Sequence, residues 1–301
     1  MGRALLSTIV VVGDAAVDVV ATHSGAIAHG GDSRARITLT TGGAGANTAA
    51  WLAYCGAEAI LVARVGDDVA GRQAREELTT AGVRCAFTFD PAASTACVIV
   101  LVDGNGQRSM LPDRGAGGRL TPADLDPALL TTAEHLHLSG YVLLDASSRD
   151  AGLAMLAAAR DAGLTTSVDP QSAALITDPA RFVEELRGVD LLLPNLDELE
   201  VLTGSRDPAG AATLLDSFGA VAVTTGPAGA GWVSRDGVRS VPAAAGSCVD
   251  STGAGDAFDA GLLTAWLGGK STEDSLLAGV RLGALAVGRV GAQPPPSRPC
   301  P

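Results

Sequence analysis

Residues 135–168 read HLHLSGYVLLDASSRDAGLAMLAAARDAGLTTSV. His135–Ser139 and Leu164–Val168 are short strand-like runs. Between them, Arg149–Ala162 is rich in Ala and Leu at helical spacing, and it ends before a glycine. Strand, helix and strand over so short a span form a βαβ unit, because parallel neighbours need a crossover rather than a tight turn. The rhythm continues in both directions. Strand-like runs recur at Ser7–Val12, Ala59–Val65, Cys97–Val102, Val189–Leu193 and Ala220–Thr225, and helical stretches at Asn47–Tyr54 and Asp68–Thr80. Such alternation predicts an α/β fold, a mostly parallel sheet with helices on both faces. Ligands bind such sheets outside the carboxyl ends of the strands, so the loops after strands are where chemistry is sought.

Two regions break the rhythm. His23–Thr40 is polar without helical period, and Thr95–Leu111 reads as two strands around Asp103-Gly104-Asn105-Gly106, a hairpin signal. These segments, roughly 19–40 and 95–112, are expected to form a small β lid on a single domain spanning 1–301. Gln293–Pro301 holds five prolines and is expected as an exposed tail.

Composition narrows the function. The 301 residues are 47% hydrophobic, enough for a large core. Lys and Arg number 21 against 33 Asp and Glu, a net charge of −12, which argues against nucleic acid as a partner. No apolar run reaches 18 residues, and Leu5–Val12 runs into Gly13-Asp14 rather than a cleavage site, so no membrane segment or signal peptide is expected. Five widely spaced cysteines without C-x-x-C predict reduced thiols in a cytoplasmic protein.

Five segments carry candidate chemistry. In Asp250-Ser251-Thr252-Gly253-Ala254-Gly255-Asp256, small residues open a helix. The first N–H groups of a helix lack internal partners and sit at the positive end of its dipole, so this turn is an anion site. Asp256, expected at the first helical position and ionised, adds a base aimed at the same place. Donors and a base together suit phosphoryl transfer to a hydroxyl. Gly42-Gly43-Ala44-Gly45-Ala46-Asn47 opens another helix and suits a neutral polyol. Asp14 and Asp18 follow the first strand and can accept bonds from sugar hydroxyls. Asn195 and Glu198, three apart at a helix start, can hold hydrated Mg²⁺. Thr224, Gly226 and Gly229 form a turn that can wall a nucleotide. Taken singly, each also reads as a helix cap or a turn. Other nucleotide motifs fail: Gly269-Lys270-Ser271 lacks the first P-loop glycine, and Gly43-Ala44-Gly45 is followed by Thr48 where a dinucleotide fingerprint needs glycine. His135 and His137 share a strand face, two ligands short of a metal site, and are read as structural.

The ordered set resembles the PfkB/ribokinase family of carbohydrate and nucleoside kinases. The match runs from Gly13 to about Gly291. Asp250 with Thr252-Gly253-Ala254-Gly255-Asp256 is similar to the family's C-terminal signature. Gly42-Gly43-x-x-x-Asn47 with Gly66-Asp67-Asp68-x-x-Gly71 looks like its N-terminal one, and Asn195-x-x-Glu198 looks like its magnesium motif. The resemblance implies a Rossmann-like core with a β lid that often also forms the dimer contact. It implies Asp256 as the base, with Gly253, Ala254 and Gly255 as backbone donors to the phosphoryl group. Asp14, Asp18, Gly42, Gly43 and Asn47 would hold the acceptor. Asn195 and Glu198 would organise Mg²⁺ through water, Thr224, Gly226 and Gly229 would line the ATP site, and Asp250 would serve a K⁺ ion as in some members. Gly42-Gly43-Ala44 and Leu138-Ser139-Gly140 look most like the fructokinase and 2-keto-3-deoxygluconate kinase branch. Arg108 and Arg114, flanking the second lid segment, are candidates to meet an acidic sugar. The competing readings are a nucleoside kinase of the adenosine or pseudouridine type and a non-catalytic sugar or nucleotide sensor.

Overall fold

Strand β1 (Thr8–Val12) is entirely buried, and its alternation assigns it to two cores. Ile9 and Val11 pack in one hydrophobic cluster, Val10 and Val12 in another. A strand apolar on both faces must be covered on both faces. The computed structural model describes residues 7–104 and 108–295. Its further strands are β2 (Ala16–His23), β3 (Ala35–Gly42), β4 (Glu58–Gly66), β5 (Arg84–Asp90), β6 (Ala96–Val102), β7 (Arg108–Asp113), β8 (His135–Ser139), β9 (Thr165–Asp169), β10 (Val189–Leu192), β11 (Phe218–Thr224), β12 (Ala230–Ser234) and β13 (Gly237–Val241). The α-helices are α1 (Ala44–Tyr54), α2 (Val69–Thr80), α3 (Pro127–Leu130), α4 (Tyr141–Leu144), α5 (Arg149–Asp161), α6 (Pro179–Glu185), α7 (Leu196–Thr203), α8 (Ala254–Leu267) and α9 (Thr272–Val287).

The large sheet runs β13-β12-β11-β10-β9-β8-β1-β4-β5, parallel from β11 to β5 with an antiparallel hairpin at the β13 edge. Helices α1 and α8 belong to the core that takes Ile9 and Val11; α5 and α6 cover the other. The fold is therefore the expected α/β layer structure. Because β1 pairs with β4 on one side and with β8 on the other, strand order reverses between β1 and β8. The crevice above that point is where such sheets hold ligands. The residues that end β1, β8, β9 and β11, and Asn195 just after β10, all open on it.

The two irregular segments pair with each other. β2 runs antiparallel to β3 and parallel to β6, and β6 runs antiparallel to β7, giving a second sheet of order β3-β2-β6-β7. Asp68 pins this sheet to the body: its carboxylate caps α2 at the Gly71 N–H and accepts from both the N–H and the hydroxyl of Thr95. The Asp67-Asp68-x-x-Gly71 segment is thus a joint under β6.

Three sequence expectations shift. Asp18 lies within β2 rather than in a turn after β1. The edge strand β5 escaped the reading, because its apolar residues alternate with Arg84, Thr88 and Asp90 and carry no continuous apolar run. The start of the proline-rich tail is folded in: Gln293 is half-buried and its Nε2 donates to Asn47 Oδ1 at 2.8 Å. Residues 296–301 lie outside the described residues. No described helix is long and apolar enough to cross a membrane.

Trp51, fully buried on α1, donates Nε1–H to Ala292 O at 2.8 Å, so a core side chain also fixes the loop that carries Gln293. Trp51→Phe keeps one aromatic ring in the core, loses the other and removes the bond. Urea denaturation is expected to show a loss of about 1 kcal/mol, against about 3–5 kcal/mol for Trp51→Ala.

Candidate active site

Above the carboxyl ends of β9, β10 and β11 lies a cavity of about 200 Å³. Its walls include Asn195, Glu198 and Thr224 on one side and Gly253, Ala254, Gly255 and Asp256 on the other. The second wall is the start of α8. Gly253 caps it at φ 73°, a backbone that a side chain resists, and a Cβ there would also strike Ala292 at 2.7 Å. A Cβ on Gly255 would instead stand in open space, so the helix end is bare toward the cavity. The helix begins at Ala254, two residues earlier than the sequence suggested, which puts Asp256 in the first turn but not at its first position.

Asp256 is buried, and its Oδ2 accepts Asn47 Nδ2–H at 2.9 Å. Gln171 lines the same cavity. Burial pushes its carboxyl up to about 6, against that hydrogen bond, with Asp18 adding a like charge. The helix-end argument alone kept Asp256 at an ordinary carboxylate value; desolvation outweighs it.

Asn47 reaches Asp256 because α1 starts hard against the end of β1. Gly43, at φ 94°, packs where a Cβ would lie 2.5 Å from Asp14 O, and Ala46 N–H donates to that same carbonyl. Gly42 lies under Asp18, whose carboxylate occupies the space a Cβ would need. Asp18 is itself pushed up to about 6 by burial. Gly42, Asp18, Asn47 and Asp256 are therefore one neighbourhood. Asp14 lies apart from the cavity: its Oδ1 accepts Arg114 Nη2–H at 2.7 Å. Arg114 also pairs with Asp145 at 3.5 Å and donates to Tyr141 O and Ser148 Oγ. Its charge is spent on carboxylates. The side chain of Arg108 lies outside the described residues.

On the other wall, Asn195 and Glu198 form a reciprocal cap. Asn195 Oδ1 accepts the N–H groups of Asp197 and Glu198, while Glu198 accepts the N–H and side-chain amide of Asn195. The capping and the site readings of this pair thus coexist. Burial nevertheless pushes Glu198 up to about 7. Thr224 is held by its N–H to Pro194 O, 3.0 Å, and lines the cavity. Gly226 and Gly229 stand beyond the lining, in the turn between β11 and β12. Asp250 stands beyond it too: its two oxygens accept the N–H groups of Thr252 and Gly291, clasping two loops.

Four residues of the site escaped the sequence reading. Asp169 ends β9, Gln171 follows it, Asp259 lies one turn after Asp256, and Tyr141 opens α4. Asp169 and Asp259 line the cavity, are buried, and hydrogen-bond to each other; burial and neighbouring carboxylates drive both upward. Tyr141 is pushed up by burial and by the charges of Asp256, Asp169, Glu198 and Asp14. Only Asp169 carried a signal, a carboxylate at a strand's carboxyl end. His135 and His137 lie deeper and share Ser167 Oγ, at 2.7 and 2.9 Å; burial holds both far below the usual imidazole range.

The donor set fits a magnesium–nucleotide pair. Asp169, Glu198, Asp256 and Asp259 crowd one cavity, and Oδ2 of Asp259 is buried there without a hydrogen-bond partner, so the site is short of positive charge. Among the described residues no three such side chains are placed to hold a metal ion directly.

Fold and cavity together define a phosphotransferase site on a ribokinase-like scaffold. The family model for pfkB family carbohydrate kinases matches residues 6–298, and the chain belongs to that family. It is similar to an ATP-dependent ribose-1-phosphate kinase of Halopiger xanaduensis, with 33% identity over 85% of this chain and 83% of that protein. It is also similar to a fructokinase of Klebsiella pneumoniae, with 33% identity over 89% of this chain and 87% of that protein. An E. coli protein provisionally designated Ribokinase II, solved with ATP and Mg²⁺, superposes with a TM-score of 0.87 at 24% identity, over 97% of this chain and 96% of that one. The protein is a carbohydrate kinase of this family.

The raised carboxyls set a pH dependence. For Asp256 to act as a base it must be ionised, and burial pushes Asp256 and Asp18 both up to about 6. With both carboxylates required in the ionised form, the kcat/KM profile is expected to fall below about pH 6, with about a hundredfold loss by pH 5 and a slope approaching two. Asp18→Asn is expected to reduce that slope toward one. A flat profile down to pH 5 would contradict the assignment.

Proposed function

We propose that the protein transfers the γ-phosphoryl group of ATP to a primary hydroxyl of a neutral sugar, with Asp256 as general base. The observation that carries this reading is the Asn47–Asp256 hydrogen bond, which sets the base of the α8 turn against the α1 segment. The reading puts the acceptor over Gly42 and Gly43, held by Asp18 and Asn47, with Asp14 behind them. Asp256 takes the proton of the attacking hydroxyl. Backbone N–H groups at Gly253, Ala254, Gly255 and Asp256 face the phosphoryl oxygens, where the helix end stabilises developing charge. Asn195 and Glu198 orient water around the metal, while Thr224, Gly226 and Gly229 wall the nucleotide. When bound, Mg²⁺ neutralises phosphate charge and aligns the chain of phosphates. A neutral sugar is favoured over an acidic one because Arg114 is already committed to Asp14 and Asp145.

The lid sheet supports a homodimer. In its register Leu39, Val19, Ile99 and Leu111 form one row on one face, while Thr40, Asp18, Val98 and Pro112 form the next row on the other. Asp18 faces the cleft, so the row with Leu39, Ile99 and Leu111, all exposed, faces away. A second copy of the chain covers that face in this reading. Asp250 holds the loop pair at which a K⁺ ion would act; a several-fold rise in kcat on exchanging Na⁺ for K⁺ is its test, and no response removes it.

The deciding experiment is ADP release with ATP and Mg²⁺ across fructose, ribose, 2-deoxyribose, ribose 1-phosphate, 2-keto-3-deoxygluconate, adenosine and a blank. A neutral sugar is expected to give the highest rate. Asp256→Asn should lower that rate about 10²–10⁴-fold while ATP still binds. Full turnover in the variant would overturn the mechanism, and a preference for the phosphorylated or acidic sugar would overturn the acceptor class. Leu39→Glu is expected to convert a dimer to a monomer by light scattering; an unchanged mass would place the contact elsewhere.

A further inference from the structure

Gln171 is the one residue other than glycine with a left-handed backbone among the described residues, at φ 70°. Such a backbone is unfavourable for a side-chain-bearing residue, so something must hold it. The holder is Asp169. Its Oδ1 accepts the Gln171 N–H at 2.9 Å and its Oδ2 accepts Nε2–H at 2.6 Å. The backbone on either side is fixed as well: Gly140 N–H donates to Asp169 O and Ser172 N–H to Pro170 O. The same Gln171 stands with Asp256 on the wall of the cavity. Asp169 in turn meets Asp259 through a carboxyl–carboxyl hydrogen bond.

We propose that Gln171 is a positioning residue for the reaction: its amide, clamped by Asp169, stands in the cavity beside Asp256 and fixes the orientation of the base. This rests on the reading of Asp256 as the base. The residue type follows from chemistry. A primary amide carries two N–H donors on one nitrogen, so it can serve Asp169 and still face a second carboxylate without adding charge. Glutamate has the reach but would add a fifth carboxylate to Asp169, Glu198, Asp256 and Asp259. Glycine would relieve the backbone and forfeit the side-chain amide. The strain is thus spent at the active site, where removing it is expected to separate stability from activity.

Gln171→Gly and Gln171→Glu test this beside Asp256→Asn, using ATP, Mg²⁺ and the panel sugar of highest rate. For Gln171→Gly the melting temperature is expected to stay level or rise. Its kcat should fall about tenfold or more, with KM values within about threefold of the parent. Its Asp256 carboxyl should titrate at higher pH than in the parent, by ¹³C NMR of the unliganded protein, since an amide beside the charged form is gone. Asp18 from β2, Asp169 from β9, Glu198 from α7, Asp259 on α8 and Tyr141 from α4 all face Asp256 or its cluster and remain in place. Gln171→Glu should lose more activity than Gln171→Gly. If Gln171→Gly keeps kcat within twofold with the Asp256 titration unmoved while Asp256→Asn is inactive, the positioning role fails and the base assignment stands. If Asp256→Asn is itself fully active, the base assignment fails first.

Discussion

A single hydrogen bond, Asn47 Nδ2–H to Asp256, joins helices whose sequences lie 209 residues apart, and the geometry of the site hangs on it. It can form only because three backbones come close. Gly43 turns left-handed over Asp14 O, α1 starts against the end of β1, and Gly253 turns α8 toward the same point. Gln293 then accepts the role of outer support, donating to the other end of the Asn47 amide. Asn47 is thereby satisfied as donor and acceptor, which fixes which way its amide faces.

That bond acts against a cost. Asp169, Glu198, Asp256 and Asp259 are each less than a tenth exposed, and each is pushed above its ordinary value by burial. A carboxyl whose folded value exceeds its unfolded value binds more protons when folded, so this cluster lowers stability as pH rises through that window. Phosphoryl transfer explains why such a cost is tolerated. A base that titrates near 6 is ionised at neutral pH yet is a better proton acceptor than an exposed aspartate, and a site rich in negative charge favours a cation-bound nucleotide. Charged groups elsewhere follow the opposite pattern. Arg64 with Asp90 and Asp124, and Arg114 with Asp14 and Asp145, neutralise their surroundings and brace loops.

The small sheet divides its labour by the period of a strand. Successive residues of β2 alternate between the cleft and the opposite face, so Asp18 and Val19 serve different purposes one residue apart. One face offers a carboxylate to the site, and the other leaves Ile37, Leu39, Ile99 and Leu111 in solvent. Asp68 anchors the sheet at Thr95, which leaves the far ends of its strands tied to the body only through the sheet itself.

The sequence alone determined the layer architecture, because burying β1 on both faces demands apolar residues at every position, and such runs between helical stretches are visible by eye. It also pointed to the Gly-rich helix starts and to Asp256, Asn47, Asn195 and Glu198, which lie in the first turns or caps of their helices. The signals failed where a local rule had to yield to a neighbour distant in sequence. Asp256 read as an ionised helix-end carboxylate, but burial pushes it up to about 6. The proline-rich stretch read as a loose end, but Gln293 is recruited by Asn47. Arg114 read as a meeting point for an acidic sugar, but Asp14, a hundred residues upstream, takes its charge. Gln171 had no signal at all, because its place beside Asp256 does not exist until β9 and α8 are packed together. Burial and long-range pairing are properties of the assembled structure; periodicity and helix capping are properties of the chain.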